Sequence, residues 1–328
     1  SQHIDLRQIL DSVVPRKTEQ DAARDADGDG RMIPDVPFPY DDLRKVNARA
    51  DIHAQSFRGF AEVTYNWQLR GHLQDTAIHI DHWQAEGYQG QANLSGSLAP
   101  QADGPARLDL ALDIDGLVLD LSRDENVDPA SMPTLNVEVD VEGRGDDLRA
   151  VAATLNGHVY ADSGPGEIPD SVLSFLDRGL LDQIFSAIFP ANEDTVTHLQ
   201  CFATRLEITD GEMRASPGAA LVTDKVQMIS KGTIDLETER LSLDFETHPT
   251  KAYKANISEV LVNPFVKISG TLADPQLTLD APKAALFSGA AIATAGLSIL
   301  AKGLLDRMTQ SPDPCGEFMK DGEKSSKR

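Results

Sequence analysis

The strongest constraint in this 328-residue sequence is an alternation of aliphatic and polar residues with a period of two. In the segment 106–114, the aliphatic residues at every second position are separated by Asp109, Ala111 and Asp113. The segment 134–143 repeats the pattern, with acidic residues between its valines. Because successive side chains of a strand point to opposite faces, this pattern predicts β-strands with one apolar face and one polar face.

The same alternation recurs in later parts of the chain. We expect the aliphatic side chains of all these segments to lie on the apolar face of a sheet and to form a surface for lipid chains. The predicted members of this face are Leu108, Leu110, Leu112, Ile114, Leu135, Val137, Val139, Val141, Leu206, Ile208, Ile234, Leu236, Leu241, Leu243, Phe245, Val266 and Ile268.

Short connections favour antiparallel pairing of the predicted strands. The sequence therefore predicts a mainly β fold, in which a curved antiparallel sheet forms a groove or open half-barrel of the repeating β-groove type, with a few packed helices. After Gly116 the apolar set changes parity to Leu117, Leu119 and Leu121. A β-bulge or turn at Gly116 would explain this change.

Three segments have helical rather than alternating patterns. We predict helices over 145–156, 170–189 and 283–307. The run 284–301 has no charged residue, and three interpretations stay open for it: a helix packed on the sheet, membrane contact through 284–305, or a membrane span.

The predicted division of the chain follows these elements. We expect a first β-groove segment over 1–144 with an acidic loop at 17–36. A second β-groove segment over 145–280 contains the first two helices, and 281–328 contains the apolar helix and a disordered tail.

The charge of the chain restricts its partners. The sequence has 52 acidic and 30 basic residues and a net charge of -22. Such a chain repels phosphate backbones, so nucleic acid is not an expected partner. The same charge disfavours adsorption on anionic headgroups, and any lipid contact must therefore be apolar.

The two cysteines, Cys201 and Cys315, are too few for a metal cluster. They fit either one disulfide in an oxidising compartment or two unpaired thiols, and the sequence does not choose between these alternatives.

No segment has a convincing pattern for metal binding or catalysis. Residues 25–35 imitate a calcium loop, but Val36 stands where a bidentate Glu is needed, so an acidic solvated linker is the better interpretation. His79, Asp81 and His82 lack a further ligand at a convincing spacing for zinc. No nucleophile or phosphate-loop motif is present in the sequence. We therefore expect no metal, no cofactor and no enzymatic activity.

Five segments, taken in order, resemble landmarks of the AsmA-like C-terminal region of the AsmA family of bacterial envelope proteins. They are GDDLRAVAATLNG from 145, CFATRLEITDGEMRAS from 201, KGTIDLETERLSLDFETHPTK from 231, VKISGTLADPQLTLD from 266 and DPCGEF from 313. The resemblance extends over nearly the whole chain, and it depends on the ordered series rather than on any single motif.

This resemblance implies a periplasmic protein anchored to the inner membrane through an N-terminal segment that is absent from this fragment. It also implies a role in outer-membrane assembly, and a groove that carries phospholipids between the inner and outer membranes. The family has no catalytic residues to transfer to this chain.

Two further hypotheses remain beside the lipid-binding one. In the first, the apolar face is an ordinary core and edge strands recruit partners, so that the chain is a scaffold for outer-membrane proteins. In the second, the chain is an all-β carbohydrate enzyme, although only two tryptophans, Trp67 and Trp83, are available for sugar stacking.

Overall fold

The computed structural model describes residues 3–5, 30–58, 63–87, 89–118, 128–169, 196–224, 226–249, 265–279 and 315–316. Several predictions lie outside these residues: the helices over 170–189 and 283–307, the membrane contact through 284–305, the parity of Leu119 and Leu121, and most of the acidic loop 17–36.

Strands dominate the described part of the chain. They are β1 His3–Asp5, β2 Ala48–Arg58, β3 Val63–Gln74, β4 Ala77–Glu86, β5 Gln91–Gln101, β6 Gly104–Leu117, β7 Leu135–Arg144, β8 Asn156–Ser163, β9 Gly166–Pro169, β10 Val196–Thr209, β11 Glu212–Thr223, β12 Val226–Asp235, β13 Arg240–Pro249, β14 Phe265–Thr271 and β15 Pro275–Leu279. The described helices are α1 Tyr40–Leu43, a 3-10 turn at Pro129–Ser131, and α2 Leu148–Ala153.

These strands belong to one sheet. Its order is β1 to β8 followed by β10 to β15, with β9 paired to β10. The pair β1 and β2 is parallel, whereas the pairs from β2 to β7, β9 with β10, and β13 to β15 are antiparallel. The prediction of a mainly β fold, built on a large antiparallel sheet with few helices, is confirmed.

Tight turns connect neighbouring strands. Asp75 and Thr76, between β3 and β4, both have positive φ angles, as do Asp210 and Gly211 between β10 and β11. Two consecutive positive φ angles are typical of the type I′ turn, whose twist matches that of an antiparallel hairpin. The local sequence thus favours direct pairing of consecutive strands.

The change of parity at Gly116 has the predicted cause. Ile114 pairs with Val137 but Leu117 pairs with Leu135, so β6 contains one extra residue relative to β7. Gly116 has a φ of 59°, which a glycine adopts without strain. The predicted β-bulge is confirmed, and it keeps Ile114 and Leu117 on the same face.

The chain forms two compact units. Unit 1 comprises the described residues within Ser1–His158, Ile208–Glu212 and Asp235–Glu239. Unit 2 comprises the described residues within Val159–Glu207, Met213–Ile234 and Arg240–Arg328. The ends of the β10–β11 and β12–β13 hairpins are therefore part of unit 1.

Unit 2 has two clusters of buried apolar side chains. The first contains Ala203, Ala220, Val222, Ile229 and Cys315, and the second contains Met228, Leu241, Phe245 and Ile268. Leu221 packs on the second cluster although both of its neighbours on β11 belong to the first. Since consecutive strand residues point to opposite faces, unit 2 buries both faces of β11.

A disulfide joins Cys201 of β10 to Cys315, which lies 114 residues later in the sequence. Cys315 is part of the first buried cluster of unit 2, and Cys201 packs against that cluster. The bond therefore attaches a distant part of the chain to one face of the sheet in unit 2.

In unit 1, most of the deeply buried apolar side chains lie toward the ends of the strands, and Ala54 in the middle of β2 is an exception. Leu117, Val118 and Met132 are buried near one end of β6. Ala106 and Val151 are buried near its other end. The middle of the sheet in unit 1 has no comparable cluster among the described residues.

Helix α2 is shorter than the predicted helix over 145–156. It begins after Asp147, whose carboxylate accepts a hydrogen bond from the Ala150 N–H at 2.8 Å. Gly145, at the predicted start, instead donates its N–H to Ala106 O. Among the described residues, no helix has the length and apolar character needed to cross a bilayer.

Candidate functional site

The aliphatic residues of β2 to β7 lie opposite one another in the sheet of unit 1. Directly paired residues of antiparallel strands share a face, so the register shows which side chains belong together. We call this set the apolar face. Its large members are Ile52, Trp67, Leu69, Leu73, Ile78, Ile80, Trp83, Leu94, Leu98, Leu108, Leu110, Leu112, Ile114, Leu135, Val137, Val139 and Val141.

The register separates apolar from polar residues across three consecutive strands. Leu112 of β6 pairs with Leu94 of β5 and with Val139 of β7. The neighbouring residue Asp113 pairs with Glu138 on the opposite face. The alternation found within each strand is therefore continuous across the strands, and one side of this sheet is aliphatic while the other is acidic.

A bulge in β4 preserves this separation where the simple alternation fails. Ile80 pairs with Gly96 and Trp83 with Leu94, so three steps along β4 match two steps along β5. Because β4 has an extra residue here, Ile80 and Trp83 both lie on the apolar face although they are three residues apart.

The apolar face of unit 1 is only partly covered. Ile52 is 37% exposed and Ile78 is 38% exposed, which is high for large aliphatic residues. Of the eight predicted members on β6 and β7, only Val141 is buried, and the other seven are half-buried. A row of partly exposed aliphatic side chains therefore runs across β2 to β7.

Half of the remaining predicted members with described side chains are buried. Ile208, Leu241, Phe245 and Ile268 are buried, and the latter three pack together in the second cluster of unit 2. The half-buried members are Leu206, Ile234, Leu236 and Leu243. The backbone of Val266 pairs with β13 and β15, but its side chain lies outside what the structure describes.

The members of the apolar face on β2 to β5 are not among the positions predicted from the sequence. Bulges near Trp67 and at Asp81 interrupt the alternation in β3 and β4, and small residues such as Gly96 dilute it in β5. The sequence does contain a pattern that could have revealed them, because a short apolar–polar repeat stands on each side of every interruption. The apolar residues of the two repeats lie on the same face of the strand only if the interruption between them contains one extra residue, as it does in a β-bulge.

The composition of the polar face of unit 1 changes from histidines on β3 and β4 to charged residues on β6 and β7. On β3 and β4, the rings of His72 and His79 stack at 4.6 Å, and His72 Nδ1 lies 3.0 Å from Asp81 Oδ2. Among the described residues, no group of three or more histidine, cysteine or acidic side chains has the geometry to hold a metal ion.

Farther along the polar face, Arg107 contacts two carboxylates. Its Nη2 lies 2.9 Å from Asp109 Oδ1 and 2.6 Å from Glu142 Oε2. The hydrogen bond to Asp109, followed by the charges of Asp109 and Glu142, raises the pKa of Arg107 above its ordinary value. The short side chains of Ser95 and Ala111 leave a shallow hollow beside these acidic residues. We find nucleophile–base geometry in none of these contacts.

Comparisons with protein-family models, with curated proteins and with solved structures found no match to this chain.

Proposed function

We propose that the chain is a non-catalytic bacterial envelope protein whose apolar face binds phospholipid acyl chains and conducts them between the inner and outer membranes. The single observation that carries the lipid-binding part of this proposal is the partial exposure of the aliphatic row across β2 to β7. The ordered motifs that resemble the AsmA family support the placement in the periplasm and the role in outer-membrane assembly and integrity.

The chemistry of the apolar face suits hydrocarbon. The described side chains of β5 to β7 on this face are aliphatic or small, and the acidic residues of the same strands lie on the opposite face. An acyl chain laid on such a surface is stabilised by about 0.8 kcal/mol for each methylene removed from water. A charged headgroup gains nothing there and would stay in solvent.

The dimensions of the face also suit an acyl chain that crosses the strands. Neighbouring strands are about 4.8 Å apart, so the five intervals from β2 to β7 span about 24 Å. One leaflet of a bilayer contributes about half of a hydrocarbon core of about 30 Å. The face is therefore wider than the length that one acyl chain occupies in a leaflet.

The proposal is tested by measuring lipids that copurify with the chain in the absence of detergent. We expect glycerophospholipid in the extract by mass spectrometry, and we expect Leu112→Asp to lose most of it while circular dichroism shows an intact sheet. The matched control is Ala111→Asp, which places the same charge on the opposite, polar face of β6.

A scaffold without a lipid conduit predicts a different outcome. If the apolar face were a sealed core, Leu112→Asp would unfold unit 1 and the wild-type extract would contain no stoichiometric lipid. A photo-crosslinking residue at Leu112, compared with one at Ala111, gives an independent check. Crosslinks to lipid from both positions, or from neither, would contradict the proposal.

A further inference from the structure

The segment Arg31–Phe38, which we call the strap, is bound to the rest of unit 1 mainly through its main chain. The N–H groups of Met32 and Ile33 donate to the two carboxylate oxygens of Glu239, at 2.8 and 2.6 Å. Glu239 is fully buried and lies more than 200 residues away in the sequence. The sequence predicts an acidic solvated linker over 25–35, whereas the main chain of Met32 and Ile33 is held by a buried carboxylate.

Glu239 occupies a backbone conformation that disfavours its residue type. It is the last residue of the turn between β12 and β13, and its φ is 58°. Glycine or asparagine is expected at such a position, and a non-glycine residue there costs about 1 to 2 kcal/mol. A glutamate in this place indicates that its side chain has a role that outweighs the strain.

Arg149 of α2 binds the other side of the strap. Its Nε and Nη2 donate to Ile33 O at 3.1 and 2.9 Å, and its Nη1 donates to Asp35 Oδ2 at 3.1 Å. The Arg149 N–H also donates to Pro34 O at 3.2 Å. The strap therefore connects the β12–β13 turn to α2 by hydrogen bonds on both of its sides.

Helix α2 in turn lies against the apolar face at the end of β7. A methyl group at Gly143 would come within 2.9 Å of Val151 O and 3.2 Å of Leu155 Cδ1. Gly143 pairs with Leu108 and lies two residues from Val141, so α2 covers this corner of the apolar face. A helix of six residues is not stable alone, and its position depends on the contacts that hold it.

We propose that the strap is a latch that holds α2 as a lid over the corner of the apolar face formed by Leu108 and Val141. Glu239 is the fixed end of the latch, and Arg149 is its attachment to the lid. Release of the strap from Glu239 frees α2 to move and uncovers the corner. The last step, faster entry of acyl chains, rests on the proposed function, whereas the mechanical coupling does not.

The test uses hydrogen exchange of the full chain, resolved to short peptides by mass spectrometry. Glu239→Gln replaces one acceptor oxygen by an NH₂ group, which cannot accept from a main-chain N–H. We expect the amides of the strap and of α2 to exchange about tenfold faster, while the centres of β5 and β6 are unchanged. The matched control is Glu237→Gln in the same turn, where the side chain is exposed.

Glu239→Gly separates the role of the carboxylate from that of the turn. Glycine relieves the strain of the positive φ, so this variant keeps the turn but lacks the acceptor. We expect it to release the strap as Glu239→Gln does. Unchanged exchange of the strap in both variants overturns the latch, and faster exchange of the strap with unchanged α2 overturns the coupling to the lid.

A lipid measurement distinguishes failure of the latch from failure of the proposed function. Uptake of a fluorescent phosphatidylcholine from phosphatidylcholine vesicles is expected to be severalfold faster for Glu239→Gln than for Glu237→Gln. If exchange responds as expected but no variant, including the wild type, takes up lipid, the latch is supported and lipid binding is overturned. If all variants take up lipid at the same rate, the lid does not control access.

Discussion

Units 1 and 2 are built from the same alternating strands, but they bury their aliphatic residues differently. All the large hydrophobic residues that are exposed in the described part of the chain belong to unit 1, on the apolar face, the strap, α2 and the segment before β2. Unit 2 has two buried clusters, one on each face of its sheet, and a disulfide within the first.

This difference shows that alternation determines which side chains lie on each face of a strand but not what packs over that face. In β6 the residues between the leucines are acidic or small, so only one face can be apolar. In β11 the run 219–222 is apolar at both parities, and each parity contributes to a different cluster. A strand that is buried on both faces has this continuous apolar pattern.

The largest effect should come from removing the disulfide of unit 2. Cys201→Ser together with Cys315→Ser opens a crosslink between residues 114 apart, which the chain-entropy model values at about 4 to 5 kcal/mol. We expect chemical denaturation to show this loss in unit 2, with protection from hydrogen exchange in β5 and β6 retained. Equal destabilisation of both units would contradict their separation.

Matched truncations should sharpen the contrast between the clusters and the apolar face. Ile268 is 1% exposed and lies in the second cluster of unit 2, so Ile268→Ala is expected to cost about 2 to 4 kcal/mol. Leu112 is half-buried in unit 1, and Leu112→Ala is expected to cost about 1 kcal/mol. Urea denaturation of both variants measures the difference, and similar losses would show that the apolar face is as well packed as the clusters.

A smaller effect is expected where α2 meets the sheet of unit 1. In Gly143→Ala, the new methyl group would lie 2.9 Å from Val151 O, a backbone atom that can yield only if α2 moves. We expect a loss of about 1 to 2 kcal/mol and faster hydrogen exchange in α2. Gly104→Ala is the control, because a Cβ there meets nothing within 4 Å.

The smallest change in the free energy of unfolding is expected at high pH, and only in unit 1. The Tyr40 hydroxyl is buried and has no hydrogen-bond partner among the described residues. Burial, and then the charge of Asp146, raises the pKa of Tyr40 above its ordinary value of 10.0. The folded state therefore retains the proton where the unfolded state releases it.

It follows that the contribution of Tyr40 is fully present below pH 10 and is lost as the pH rises through the raised pKa. Tyr40→Phe should make the unfolding free energy of unit 1 less dependent on pH above 10, as measured by urea denaturation at several pH values. If the unfolding free energy of the wild type and of Tyr40→Phe depended equally on pH above 10, this role of Tyr40 would be excluded.

The sequence predicted what depends on local chemistry. The faces of β6 and β7 follow from alternation alone, and the bulge at Gly116 follows from the change of parity beside a glycine. It did not predict the strap, because the bonds from Met32 and Ile33 to Glu239 connect residues more than 200 positions apart. The only local sign of that contact is a glutamate at a turn position that favours glycine.

The sequence also left the pairing of Cys201 with Cys315 open, because spacing does not determine which thiols meet in the fold. The aliphatic positions alone likewise did not show that the two units bury their aliphatic residues to different extents. That difference depends on what packs over each face, which is a property of the assembled chain rather than of any single strand.

The continuous cross-strand rows of β5 to β7 have a consequence for how such a chain tolerates mutation. Exchanging one aliphatic residue for another leaves each row intact, so the individual letters are largely interchangeable. Deleting a single residue between Leu108 and Ile114 is different in kind, because it would move the later aspartates of β6 from the polar face to the apolar face. We therefore expect the spacing of the aliphatic residues to be constrained more strongly in evolution than their identity. Distant relatives would keep the alternation of the strands while their sequences diverge.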